Sequence, residues 1–76
     1  MGMQPNMATE IVFLVEEDPD GGLTARAIGQ SIFTQADDMN ALKEAVRDAV
    51  RCHFDNEAAR PKLIRLHWVR DEVIAA

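Results

Sequence analysis

Residues Ile11 to Asp38 read IVFLVEEDPDGGLTARAIGQSIFTQADD, and this stretch decides the fold. It opens on an unbroken apolar run, Ile11, Val12, Phe13, Leu14 and Val15, rich in β-branched and aromatic types. Such a run predicts a strand over Glu10 to Glu17 that is buried on both faces and so lies in the middle of a sheet. The polar segment Glu16, Glu17, Asp18, Pro19, Asp20, Gly21, Gly22 follows, and its Asp-Gly and Gly-Gly pairs supply the positive φ values that reverse a hairpin. Leu23 to Ala27 then alternates, with Leu23, Ala25 and Ala27 on one face and Thr24 and Arg26 on the other, which predicts a second strand. Gly29 marks the next reversal, and Ser31 to Gln35 reads as a short third strand carrying Ile32 and Phe33.

The end of the stretch starts a helix. Asp38 is the expected N-cap, its carboxylate accepting from the first free amides. Beyond it Met39, Leu42, Val46, Ala49, Val50 and His53 recur at three- and four-residue steps, which predicts one face of a helix from Met39 to about Phe54. Asn40, Lys43, Glu44, Arg47, Asp48 and Arg51 fall on the other face. Pairs such as Glu44 with Arg47 and Asp48 with Arg51 are worth about 0.2–0.5 kcal/mol each and read as solubility. Asp55 to Pro61 is a polar connection ended by a proline, which cannot continue a helix. Lys62 to Arg70 reads as a last strand, with Ile64, Leu66 and Trp68 on one face and Arg65 and His67 on the other. Asp71 to Ala76 carries Val73 and Ile74 as a short extra strand or a docking tail.

Strands one and three of a meander run the same way, so a helix leaving the third can deliver the fourth parallel to the first by a right-handed crossover. The expected architecture is therefore α+β: β-β-β-α-β, a four-stranded mixed sheet in the order 3-2-1-4 with one helix on one face. It occupies a single domain over residues 10–76, and residues 1–9 read as a disordered leader. The second sheet face has no helix to cover it. Val12 and Leu14 point opposite to Ile11, Phe13 and Val15, so one set is left on that face, and a contiguous apolar patch on a small protein marks an interface. A homo-oligomer is expected, formed through Val12 and Leu14, the edge of the fourth strand, or Val73 and Ile74. The competing reading, a monomer with loops and tail folded over the patch, has little of a 76-residue chain left to do it.

Composition narrows the chemistry. Apolar residues are 47% and charged residues 28% of the chain, which is globular rather than disordered. A net charge of -5 speaks against nucleic acid as the main partner, because phosphate binding is driven by Lys and Arg. Arg47, Arg51, Arg60, Arg65 and Arg70 could gather into a basic patch, but acids are interspersed and a solvated mixed face is the plainer reading. The lone Cys52 cannot close an internal disulfide, which fits a reducing cytoplasm, and it is expected to pack near the helix end. No apolar run approaches the ~20 residues of a membrane span.

Candidate reactive groups lack partners. His53 falls at a helix C-terminus, where positive charge is favourable, and His67 on the polar face of a strand. Glu16, Glu17, Asp18 and Asp20 do not match the spacing of a calcium loop. Gly21 and Gly22 join strand to strand, whereas a phosphate cradle needs a strand-to-helix turn. Ser31 and Thr34 have no neighbouring base. No catalytic residue, metal site or cofactor is expected, and the chain does not read as an enzyme. The acidic turn is better read as a contact that steers a basic protein toward it. His67 reads as surface or partner contact, and Trp68 either as an interface anchor or as core.

The stretch EEDPDGGLTARAIGQSIFTQADDMNALKEAVRDAV resembles the HicB-like antitoxin domain of bacteria. Gly21, Gly22 and Leu23 match its loop, Ile32 and Thr34 its third strand, and Asp37, Asp38, Met39, Ala45 and Val46 its helix opening. RLHWVRDEVIA looks like the final strand of its stand-alone subgroup. The resemblance spans about Glu10 to Ala76 and implies a partial ribonuclease H-like fold without a working active site. It implies further that the domain binds and inhibits a small basic HicA-like ribonuclease toxin. Eight residues follow Trp68, too few for the DNA-binding segment of the toxin–antitoxin members, so direct DNA binding by this chain is not expected. The alternative is an orphan oligomeric scaffold or small-ligand binder that has kept the fold without a toxin partner.

Overall fold

The apolar run becomes β1 (Glu10–Glu17) of a computed structural model that describes residues 10–76; the expected leader at 1–9 lies outside the described residues. β2 (Leu23–Ala27) returns antiparallel to it, β3 (Phe33–Ala36) pairs antiparallel with β2, and α1 (Met39–His53) follows. A single 3-10 turn, Glu57–Ala59, leads into β4 (Leu63–Trp68), which lies parallel to β1. The four strands stand in the order β3-β2-β1-β4, the α+β arrangement expected from the sequence.

Register sorts the side chains. Phe13 stands between Ala27 of β2 and Leu66 of β4, and Val15 between Ala25 and Trp68, all on the helix side. Leu42, Val46 and Val50 of α1 close over them, and together with Ile11, Leu23 and Ile32 they form one buried core. Phe13, Val15, Ala25 and Leu42 are fully buried. β1 is not covered on both faces as the run suggested: its residues alternate, and Val12 and Leu14 are half-buried on the side away from α1.

Local signals set the boundaries. The Asp38 carboxylate accepts from the Ala41 amide at 2.8 Å and caps α1. At the other end the Phe54 amide donates to the Val50 carbonyl at 2.9 Å, and Arg60 Nε donates to the Phe54 carbonyl at 3.1 Å. The third strand starts two residues later than expected. The Ile32 carbonyl accepts from Ala27 at 2.9 Å to close the turn, and its buried side chain joins the core ahead of the ladder. Cys52 is exposed rather than packed, since it falls about 120° around α1 from the buried row of Leu42, Val46 and Val50, and His53, the last helical residue, is exposed rather than on the buried face. No strand forms over Asp71 to Ala76.

One glycine is required twice over. Gly22 has φ of +87°, and a Cβ there would stand 2.8 Å from the Ala36 carbonyl oxygen, a backbone atom that cannot step aside. Gly22→Ala is expected to destabilise the fold by about 1–3 kcal/mol, and Asp38→Ala by about 1 kcal/mol. Urea unfolding followed by circular dichroism measures both. An unchanged midpoint for Gly22→Ala would show that the hairpin relaxes freely around this contact.

Candidate protein-binding surfaces

The β1–β2 turn is built around Asp18. Its amide donates to the Gly22 carbonyl at 3.0 Å, its carbonyl accepts from Gly21 at 2.9 Å, and its carboxylate accepts from the Asp20 amide at 2.9 Å. Asp18 is thus a turn-former as well as a charge, whereas Glu16, Glu17 and Asp20 are free on the surface. Two further parts of the chain bring acids to this end. Asp37, just before α1, shares a depression with Asp18 and Asp20, and Asp71 and Arg70 share another with Glu16 and Glu17. One end of the sheet is therefore an acidic pole.

β4 separates the other two expected contact residues. His67 is in register with Leu14 on the open face, while Trp68 is in register with Val15 on the helix side, so the two do not share a surface. Trp68 is 37% exposed and stands outside the core, because α1 lies nearest β3 and β2 and does not reach over the end of β4.

Across the open face one row reads Phe33, Arg26, Leu14, His67 from β3 to β4, and the next places Arg65 beside Val12. The expected contiguous apolar patch is thus divided. Arg26 and Arg65 flank Val12 and Leu14, and long side chains of this kind lay apolar stems over their neighbours, in keeping with the half-burial of both. Arg65 is held by an ion pair to Glu10 on the same face. The fully apolar exposed groups sit at the margins: Phe33 at 62% exposure and Leu63 at 63% on the two edge strands, and Ile28 at 55%.

The cations gather elsewhere. Lys43, Arg47, Arg51, Arg60 and Lys62 line two contiguous depressions between α1 and β4, over a floor of Val46, Val50, Ile64 and Leu66. No acid lines either depression. Of the basic patch that the sequence allowed, Arg47, Arg51 and Arg60 are here, Arg65 is on the open face and Arg70 is at the acidic pole. Lys43 and Lys62, distant in sequence, were not part of that reading and complete the groove. The exposed pairs Arg47–Glu44 and Arg51–Asp48, both 2.6 Å, tie two of these cations along the helix surface.

His53 Nε2 lies 3.2 Å from the Gln30 side-chain oxygen and its ring packs edge-on against Phe54 at 4.8 Å, pinning the helix end to the β2–β3 loop. Among the described residues no three His, Cys, Asp or Glu side chains group as metal ligands, and no helix is long and apolar enough to cross a membrane. A shallow cleft of about 600 Å³ lies opposite the acidic pole, lined by Ile11, Val12, Ile28, Phe54 and Pro61 among others.

Comparison with known proteins adds an affiliation to this geometry. A UPF0150 protein of Archaeoglobus fulgidus is 62% identical over 53 residues, covering 70% of this chain and 77% of that protein. A UPF0150 protein of Thermotoga maritima is 46% identical over 66 residues, covering 87% of this chain and 91% of that protein. No family profile matches the chain, and no solved structure matches it. At this identity and coverage, the chain belongs to the UPF0150 family.

Proposed function

We propose that this chain is a non-catalytic binding protein that associates with copies of itself and holds its acidic pole, with the adjoining open face, against the basic surface of a small protein. The HicB-like resemblance supplies the partner class: a small basic ribonuclease, inhibited when its RNA-binding surface is covered. The observation that carries the reading is the gathering of Glu16, Glu17, Asp18 and Asp20 with Asp37 and Asp71 at one end of the sheet. A field of one sign raises the encounter rate with an oppositely charged partner by about 10–10³-fold. Exposed Phe33 and, toward β4, His67 then offer an apolar and a polar contact on the neighbouring face. The cytoplasm is the compartment that fits such a partner and an unpaired thiol.

A second reading rests on the cleft beside Ile28 and Pro61, whose largely apolar lining suits a small apolar ligand held by an orphan scaffold of the same fold. Native mass spectrometry of the protein purified from its own host separates the two: a bound small molecule favours the cleft, a bound basic polypeptide the acidic pole.

The charge reading is tested by co-purification followed by titration of the recovered partner. Glu16→Gln, Glu17→Gln, Asp18→Asn and Asp20→Asn together are expected to weaken binding by about tenfold or more at low salt, or ~1.4 kcal/mol, and to flatten its salt dependence. The Asp18→Asn change retains an acceptor oxygen for the Asp20 amide, so the turn survives. Unchanged affinity with an unchanged salt slope sinks the steering role of the pole.

A further inference from the structure

β4 is an edge strand: β1 pairs along one side, and no described strand pairs along the other. The Val69 amide donates to the Val15 carbonyl at 2.8 Å. Because backbone groups alternate in direction along a strand paired in parallel, Leu63, Arg65 and His67 turn their peptide groups toward β1. Ile64, Leu66 and Trp68 turn theirs to the free edge. The same three side chains form the apolar helix-side row that α1 leaves half-buried or exposed. Past Trp68 the chain continues as Asp71, Glu72, Val73 and Ile74, all exposed, with Val73 at 95% and Ile74 at 84%.

We propose that the occupant of this edge is a second copy of the chain, with β4 pairing antiparallel to β4 about a two-fold axis beside Leu66. The tail of each copy then runs along the cationic groove of the other. The inference rests on the self-association in the reading above and names its surface.

Register is decided by the side chains. Centred on Leu66, Ile64 faces Trp68 of the second copy and Leu66 faces its own counterpart, so the helix-side row is apolar throughout. On the opposite face Leu63 meets Val69, and Arg65 meets His67. Centred on Arg65, two guanidinium side chains face each other across a close pair with Cα atoms about 4.5 Å apart, and like charges so placed are destabilising. Centred on His67, Ile64 is opposed by Arg70 and loses its apolar neighbour. Carried onward, the Leu66 register brings Asp71 and Glu72 alongside Pro61 and Arg60 of the second copy, beside Lys62, in a groove without an acid of its own. The one same-sign meeting, Arg70 with Lys62, lies at the wet rim, where salt screens it.

The test uses the full chain. Sedimentation at micromolar concentration is expected to give a dimer, and Trp68→Glu, at a partly exposed site outside the core, is expected to weaken it at least tenfold with an unchanged circular dichroism spectrum. A register test avoids the core entirely. Arg65→Cys and His67→Cys, each made with Cys52→Ser, alter exposed side chains on the face away from α1. Mixed and mildly oxidised, the two variants are expected to form a disulfide-linked dimer, whereas neither does so alone. A monomeric wild type, a dimer indifferent to Trp68→Glu, or cross-linking of either single variant alone overturns the proposal. Binding of a basic partner by the Trp68→Glu chain is read separately, so loss of the dimer leaves the acidic pole still testable.

Discussion

One α-helix is about 10 Å across and strands are spaced about 4.8 Å apart, so a single helix covers about two strands of a sheet that here has four. That mismatch governs the rest of the molecule. α1 lies nearest β3 and β2, and its buried side chains extend the core to Phe13 and Val15 of β1. Cover then falls away across β4, from half-buried Ile64 and Leu66 to exposed Trp68. The far face lies away from the helix altogether. The open face and the β4 edge are the parts of the sheet that the helix is too narrow to reach.

Charge follows from the same topology combined with the helix dipole. The end of β1, the start of β2, the end of β3 and the start of α1 all meet at one end of the sheet. Acids are favoured near a helix N-terminus and cations near its C-terminus, and the chain conforms, with Asp37 and Asp38 before α1 and Arg51 and His53 in its last turn. The hairpin turn adds Glu16, Glu17 and Asp20 to the acidic end, while Arg60 and Lys62 enter beside the helix C-terminal half. A chain with a net charge of -5 thus folds into a molecule with one acidic pole and one cationic groove. Net charge alone describes neither.

Much of this was legible in the sequence because it is local. The bounds of β1 and β2, the Asp38 cap and the positive φ of Gly21 and Gly22 rest on periodicity and turn chemistry that operate within a few residues, and the strand order follows from connection rules applied to those elements. What escaped is non-local. Trp68 alternates correctly onto the apolar side of β4, yet whether that side is covered depends on where α1 lies. His53 keeps the helical spacing, yet it is exposed at the end of α1, where its side-chain partner is Gln30 of the β2–β3 loop. The groove joins Lys43 to Lys62 across the helix, connection and strand, a juxtaposition that no window of sequence contains. The division of the open face by Arg26 and Arg65 likewise needs the inter-strand register.

The two edges of the sheet differ in a way that bears on self-association. Unpaired edges invite pairing with another chain, and proteins that avoid it use short strands, bulges, proline or charges projecting along the edge. β3 follows that rule: it is four residues long, with Thr34 and Gln35 in its middle. β4 does not. It is six residues long, its outward-facing peptide groups belong to Ile64, Leu66 and Trp68, and its one internal cation, Arg65, is drawn inward to Glu10 on β1. Pro61 and Lys62 stand before the strand, where they mark its start without blocking its length. The proposed two-fold β4 pairing would occupy this edge and bring His67 and Asp71 to its seam, while Glu16, Glu17, Asp20, Asp37 and Phe33 lie on other elements.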